Sequence, residues 1–407
     1  MADRRRRVLV VNHFAAPKGH PGGTRHVELF SKLSEWDHLI IASDLNPHSG
    51  QRVHDEPGFT VVPVPQYAAN DSRRVLNWLA FAWRSVFVGL KQREVDVVYG
   101  SSPHLLSALA AWVIAAIKRA PFVLEVRDIW PQVLVDMGQL RATSPVYRVL
   151  SMLEGFLYQR ATMIVVMAEG SRGILLARGV AASKIRLIPN GADPQDYLPS
   201  ADREELREQF GFTRPTAVYV GAHGPANGLE LLLDAASEVA ELPLEIVLVG
   251  GGVCKQRLID EAERRSLTNI RFHDPISKES VPDVLAAADV GLHVLADVEL
   301  FRAAVSPNKV FDYMASGLPV ITNCPGVVGD LVDESRCGVV VAPQRLGSGL
   351  HAWYDGRTDP PWDEAGARGK KWLSDNQSRT ALAETLGHLL DQVARSSHKD
   401  SGRKCAS

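Results

Sequence analysis

The chain has 407 residues, 45% of them hydrophobic and 23% charged. This suits two to three packed domains of roughly 100–200 residues and excludes a disordered, collagen-like or disulfide-scaffold protein. Lys and Arg number 45 against 47 Asp and Glu, a formal net charge of −2, so no global basic excess argues for nucleic acid as a partner.

Arg4–Arg7 is basic, but the apolar run behind it, Val8–Val11, is too short for a signal-peptide core and reads as a first strand. Short apolar runs at Arg7–Val11, His38–Ala42, Val95–Tyr99, Phe122–Val126 and Met163–Met167 predict buried strands. Helical patterns cover Arg25–Leu33, Val75–Lys91, Leu105–Lys118 and Val146–Arg160. This alternation is the βαβ rhythm of a parallel sheet. It pauses at the turn-rich Ile188–Pro194 and a charged helix, Ala201–Gln209.

A second series follows, with strands at Ala217–Val220, Leu244–Val249, Ile270–His273, Val290–Val294, Pro319–Thr322 and Gly338–Val341. The helices between them are predicted at Leu229–Ala240, Lys255–Arg264, Val281–Ala288 and Lys309–Ala315. The expected fold is therefore α/β: two Rossmann-like, doubly wound domains facing a cleft, with boundaries at 1–195 and 196–375. A helix at 376–393 is expected to pack back on the first domain, and 394–407 to be a disordered tail. No uninterrupted apolar run reaches about 18–20 residues, so no membrane span is predicted. The four cysteines, Cys254, Cys324, Cys337 and Cys405, show no CxxC spacing, which gives no zinc signature and suggests a cytoplasmic location.

In such sheets ligands meet the loops beyond the carboxyl ends of strands. The loop Asn12–Arg25 ends in Gly22-Gly23 before a helix, where free amides could meet a phosphate or a sugar hydroxyl. It is neither a GxGxxG nor a Walker A loop, and a plain turn is the alternative. The second domain opens similarly, with Gly221, His223, Gly224 and a cap-like Asn227 leading into a helix, and Gly252 ends the next strand's loop. The sharpest segment is Glu299–Ile321. Ser306 or Pro307 is expected to begin a short helix whose amides and Lys309 converge on an anion, with Asp312 one turn on. A capped helix carrying a Lys–Asp surface pair is the alternative. Arg73–Arg93 has an aromatic apolar interior and basic flanks, which suits a helix at a membrane interface with Trp78 and Trp83 facing lipid; a buried helix is the alternative.

Taken in order, Pro21–Arg25, Tyr99–Pro103, Glu125–Pro131, Pro189–Ala192, Gly221–Gly228 and Ser306–Pro319 resemble a family-4 glycosyltransferase of the GT-B architecture. The similarity is to the branch that builds bacterial surface polysaccharides and includes N-acetylfucosamine transferases. It implies retaining transfer from a UDP-sugar to a lipid-linked or other saccharide, without an essential metal or further cofactor. The donor sugar would be an N-acetylated hexosamine or deoxyhexosamine. It also implies an acceptor-binding first domain, a nucleotide-binding second domain, and contact with the inner membrane surface.

The family's glutamate pair, eight residues apart, falls here on Ala304 and Asp312, and its Arg and Lys after the second domain's first strand on Ala222 and Asn227. Lys309, Arg302 and the amides of Gly221–Gly228 are then the candidates for neutralising the leaving group. Asp312 is the candidate for the ribose, with Gly22, Gly23, His223, Gly224, Asn227, Gly252 and Ser306 also assigned to the donor. Asp128, at a strand end, would orient or deprotonate the acceptor, or simply pair with Arg127; His13 is a further candidate or a surface residue. Three alternatives stay open: a natural-product glycosyltransferase, a UDP-sugar 2-epimerase, and a non-catalytic carbohydrate-binding subunit. The epimerase would need its histidines grouped, whereas His223, His273 and His293 lie on separate segments.

Overall fold

The computed structural model describes residues 4–67, 72–306, 308–359, 362 and 364–404. They form two compact units. The first takes in the chain up to Pro17, Gly23–Pro189 and the residues from Thr380 on; the second takes in Lys18–Gly22 and Asn190–Arg379.

The first unit is built on a seven-stranded sheet: β1 Arg6–Val11, β2 Trp36–Ser43, β3 Phe59–Val62, β4 Val97–Ser101, β5 Phe122–Val126, β6 Met163–Val166 and β7 Ile185–Leu187. Their order is β3-β2-β1-β4-β5-β6-β7, all parallel. β4, β5 and β6 are buried at every residue, which is why they read as continuous apolar runs rather than alternating ones. β3 and β7, at the two edges, are only partly buried and carry no such run.

The final helix, Arg379–Lys404, belongs to this unit from Thr380 on. Leu382, Leu386, Leu390 and Val393 join Val8, Val10, Leu29 and Trp36 in one core cluster. The Trp36 indole donates to Asp391, which also pairs with Arg6 at 2.7 Å. The expectation of a disordered tail from 394 is therefore corrected. The docked turns propagate the helix to Lys404, since each added residue gains a hydrogen bond at little nucleation cost. Residues 405–407 lie outside the described residues.

The second unit has six parallel strands: β8 Thr216–Val220, β9 Glu245–Val249, β10 Ile270–His273, β11 Val290–His293, β12 Val320–Thr322 and β13 Gly338–Val340. The order is β10-β9-β8-β11-β12-β13. Strand order thus reverses beside β1 and β4 in the first unit and beside β8 and β11 in the second. These are the switch points where adjacent loops diverge and leave room for a ligand.

Candidate functional site

In the second unit the site grows from the helix Asn308–Ser316. Tyr313 anchors it: its hydroxyl donates to the Leu292 carbonyl at 3.0 Å and accepts from the Val220 amide at 3.2 Å, tying the helix to β11 and β8. Lys309, four residues earlier, shares that face. Its ammonium donates to Asn227 Oδ1 at 3.1 Å and lies 5.1 Å from the Tyr219 ring centroid. Gly221 makes this route possible, since a Cβ there would lie 2.2 Å from Lys309 Cε.

The sequence places no cation at Ala222 or Asn227; the tertiary structure brings one to that loop from 82 residues away. Lys309 keeps partial exposure, yet desolvation lowers its pKa to about 8, against the stabilising charge of Asp312. It is not the surface partner of Asp312.

Two histidines feel this cation. His223 and His293 are buried, and burial together with the Lys309 charge lowers their pKa values to about 4 and about 3. For His223 the charge of Lys255 adds to the effect. His293 Nδ1 lies 2.9 Å from Thr322 Oγ1. Both are neutral at pH 7.

Asp312 is held from both sides, by the Tyr197 hydroxyl and by Lys278 Nζ at 2.7 Å. Ser306 Oγ accepts from the Asn190 amide at 3.0 Å and its carbonyl from Asn190 Nδ2 at 2.6 Å, so its hydroxyl braces a neighbouring segment. The helix starts at Asn308, and the alternative start, Pro307, lies outside the described residues. Arg302, on the short helix Glu299–Ala304, pairs with Asp297 and is about half exposed.

The amides expected to bind an anion across Gly221–Gly228 are largely spent. Those of Gly221 and His223 donate to Val249 and Gly251, and those of Asn227 and Gly228 to Gly224 and Pro225. Asn227 ends a single turn, Pro225–Asn227, instead of capping the helix Glu230–Glu238. The loop has folded onto the one after β9, where a Cβ on Gly252 would meet the His223 carbonyl oxygen at 2.6 Å.

Gly22, counted with the second unit, and Gly23, the first residue of the next stretch of the first, both have positive φ. At Gly23 a Cβ would lie 2.2 Å from the Phe14 carbonyl oxygen. The turn therefore has a packing reason of its own. His13, beyond β1, is buried and 2.7 Å from His104 Nε2, beyond β4; it is not a surface residue. The Ser107 amide donates to His104 Nδ1, so the neutral His104 carries its proton on Nε2 and donates to His13 Nδ1. The His13 proton then sits on Nε2. Burial lowers both pKa values, that of His13 to about 3. Phe81 stacks on His13 and Trp78 on His104.

Sequence reasoning missed the buried network beside this pair. Glu125 accepts from Tyr99 at 2.7 Å, Ser101 at 3.0 Å and Arg25 at 3.1 Å, with His26 Nε2 at 2.9 Å. Burial opposes its ionisation, but His26, Arg25 and Arg127 hold its carboxyl well below the usual range. Arg25 also donates to the carbonyls of Ile188 and Pro189. The signal was present, since five polar residues, Arg25, His26, Tyr99, Ser101 and Glu125, stand in otherwise apolar or glycine-marked runs. Asp128, just past β5, keeps its side chain exposed. Protein packed around it raises its pKa, while Arg127 acts in the opposite direction.

Residues 7–191 match the Glycosyl transferase 4-like domain and residues 214–352 the Glycosyl transferases group 1 domain. The putative colanic acid biosynthesis glycosyl transferase WcaI of Escherichia coli is 26% identical over 65% of this chain and 67% of its own. A GDP-mannose-dependent alpha-mannosyltransferase of Mycobacterium tuberculosis is 26% identical over 82% of this chain and 83% of its own. Among solved structures, Anabaena HepE in complex with UDP-glucose superposes with a TM-score of 0.70 at 17% identity, covering 95% of this chain and 99% of HepE. With two parallel-sheet α/β units, each matched by a glycosyltransferase domain, the chain belongs to the GT-B glycosyltransferases.

Proposed function

We propose that this glycosyltransferase moves a sugar from a UDP-sugar to a lipid-linked saccharide, with retention at the anomeric carbon, in cell-surface polysaccharide synthesis at the inner face of the membrane. The observation that carries the reading is Lys309, a half-buried cation tied to Asn227 in the loop after β8, at the second sheet's switch point. Departure of a nucleoside diphosphate develops negative charge, and a preorganised cation in a partly desolvated site is what stabilises it. Asp312 would accept ribose hydroxyls on the lone pairs that Tyr197 and Lys278 leave over. Asp128, exposed just past β5, would serve the acceptor hydroxyl.

WcaI, named for colanic acid biosynthesis, and HepE, solved with UDP-glucose, support the polysaccharide role and the uracil base. Within that role, an N-acetylated hexosamine or deoxyhexosamine donor, as in the N-acetylfucosamine transferases, is our reading of the sugar. No metal is required, because Lys309 supplies the positive charge. A second reading replaces UDP by GDP, on the strength of the GDP-mannose-dependent relative.

Radiolabelled UDP- and GDP-sugars offered with a lipid-linked acceptor, with and without EDTA, test these points. Transfer from a UDP-sugar with retained anomeric configuration, unaffected by EDTA, is expected. An isomerised donor, or no turnover with any donor, overturns the reading.

A further inference from the structure

The first unit exposes an unusual surface. The helix Ser72–Lys91 turns Asn77, Phe81 and Ser85 inward, and on its outer side Leu76, Leu79, Trp83 and Phe87 form a stripe at helical spacing. Leu76 is 58% exposed and Trp83 67%. Two neighbouring helices expose apolar side chains as well. The helix Leu105–Lys118 packs beside this one, with Ile114 filling the space against Gly89, and the helix Pro145–Arg160 packs on its other side through the Trp112–Phe156 ring contact. There Ile117, Val149 and Met152 are also exposed.

Charge on these helices is one-sided. They carry four, one and two basic residues in turn against a single acid, Glu154, which is buried and paired with Arg178. The whole chain is close to neutral, at −2. On the longest helix Arg73, Arg84 and Lys91 lie along one side of the apolar stripe.

We propose that this three-helix face is a docking surface for an anionic lipid bilayer. The apolar stripe enters the headgroup boundary, Trp83 sits where one ring edge meets water, and the flanking cations meet lipid phosphates. A second copy of the chain is the poorer partner, because a two-fold pairing of this face would set basic residues against basic residues. Among the described residues no helix is long and apolar enough to cross a membrane, so the face lies on the bilayer rather than through it. Trp78 takes no part: it stacks on His104 and meets Trp130, which corrects its expected lipid-facing role. The same helix therefore presents lipid-facing residues outward and Trp78, Asn77 and Phe81 towards the His13–His104 pair. This deepens the lipid-linked part of the proposed reaction and rests on it for its purpose, not for its physics.

Vesicle co-sedimentation without donor or acceptor tests the surface apart from the reaction. The protein is expected to pellet with phosphatidylcholine vesicles containing phosphatidylglycerol, weakly with phosphatidylcholine alone, and less at high salt. Leu79→Ser, Trp83→Ser and Phe87→Ser together should weaken binding by at least about tenfold, with unchanged melting temperature and UDP affinity. Val149→Ser with Met152→Ser, on the neighbouring helix, should weaken it as well. Absence of pelleting with anionic vesicles overturns the proposal, as does undiminished binding by both variants. A concentration-dependent dimer lost in those variants, without vesicle binding, assigns the face to a second copy instead.

Discussion

Lys309 has a charge that depends on where its ammonium is held. With its pKa lowered to about 8, it is a cation at pH 7 and loses its proton as pH rises through 8. Donor affinity and kcat/KM should therefore fall on the alkaline side with a midpoint near 8 in the free enzyme, a limb that a pH–rate profile would reveal and that Lys309→Met should abolish. The same substitution should lower kcat by about a hundredfold, the scale of removing one preorganised electrostatic stabiliser. Arg302→Met, measured alongside, should keep most activity, because that guanidinium is committed to a half-exposed pair with Asp297. Full activity in the first and collapse in the second would transfer the role. For Asp312→Asn, calorimetry should show UDP binding weakened on the order of tenfold to a hundredfold, as for loss of a charge-assisted hydrogen bond.

At the scale of the element, the Lys309 side chain crosses the loop after β8 at Gly221, in space that a Cβ there would occupy. Gly221→Ala should push Lys309 aside and reproduce much of the Lys309→Met defect. In the double variant the two losses should not add, since both remove the same cation. In the first unit Glu125 joins β5 to β4 and to the helix Arg25–Ser31. Glu125→Gln leaves the Arg25 guanidinium buried without its counter-charge, and denaturant unfolding should show a loss of about 3–5 kcal/mol. Because the folded-state pKa of Glu125 is depressed, its contribution is present above the ordinary carboxylate range and is lost as pH falls through the folded value.

For the molecule as a whole, acid stability is set by histidines. His13, His26, His104, His223 and His293 are all buried with lowered pKa values. Unfolding releases them to bind protons near the ordinary value of about 6.5. Between that pH and the low folded values the unfolded chain holds more protons, so stability falls as pH falls. The melting temperature should begin to drop below about pH 6.5, before the carboxylates titrate. A flat profile from pH 7 to 5 would mean that these rings protonate in place.

The two-domain α/β architecture was legible in the sequence because strands buried on both faces are short continuous apolar runs. Phe122–Val126 was read to the residue on that pattern, and the helix Leu105–Lys118 was read to the residue on its helical pattern. Of the edge strands, β3 and β7 escaped, being short and only partly buried, whereas β10 and β13 were read although they are edges too. The sequence also marked the loop after β8 and the segment around Lys309 as places for chemistry. Only the tertiary structure decided that they are one place, that Asp312 faces Lys278, and that Trp78 turns inward while Trp83 turns outward. Local order is written in spacing along the chain, but the partner, charge and exposure of a side chain depend on atoms brought from 82 or 91 residues away.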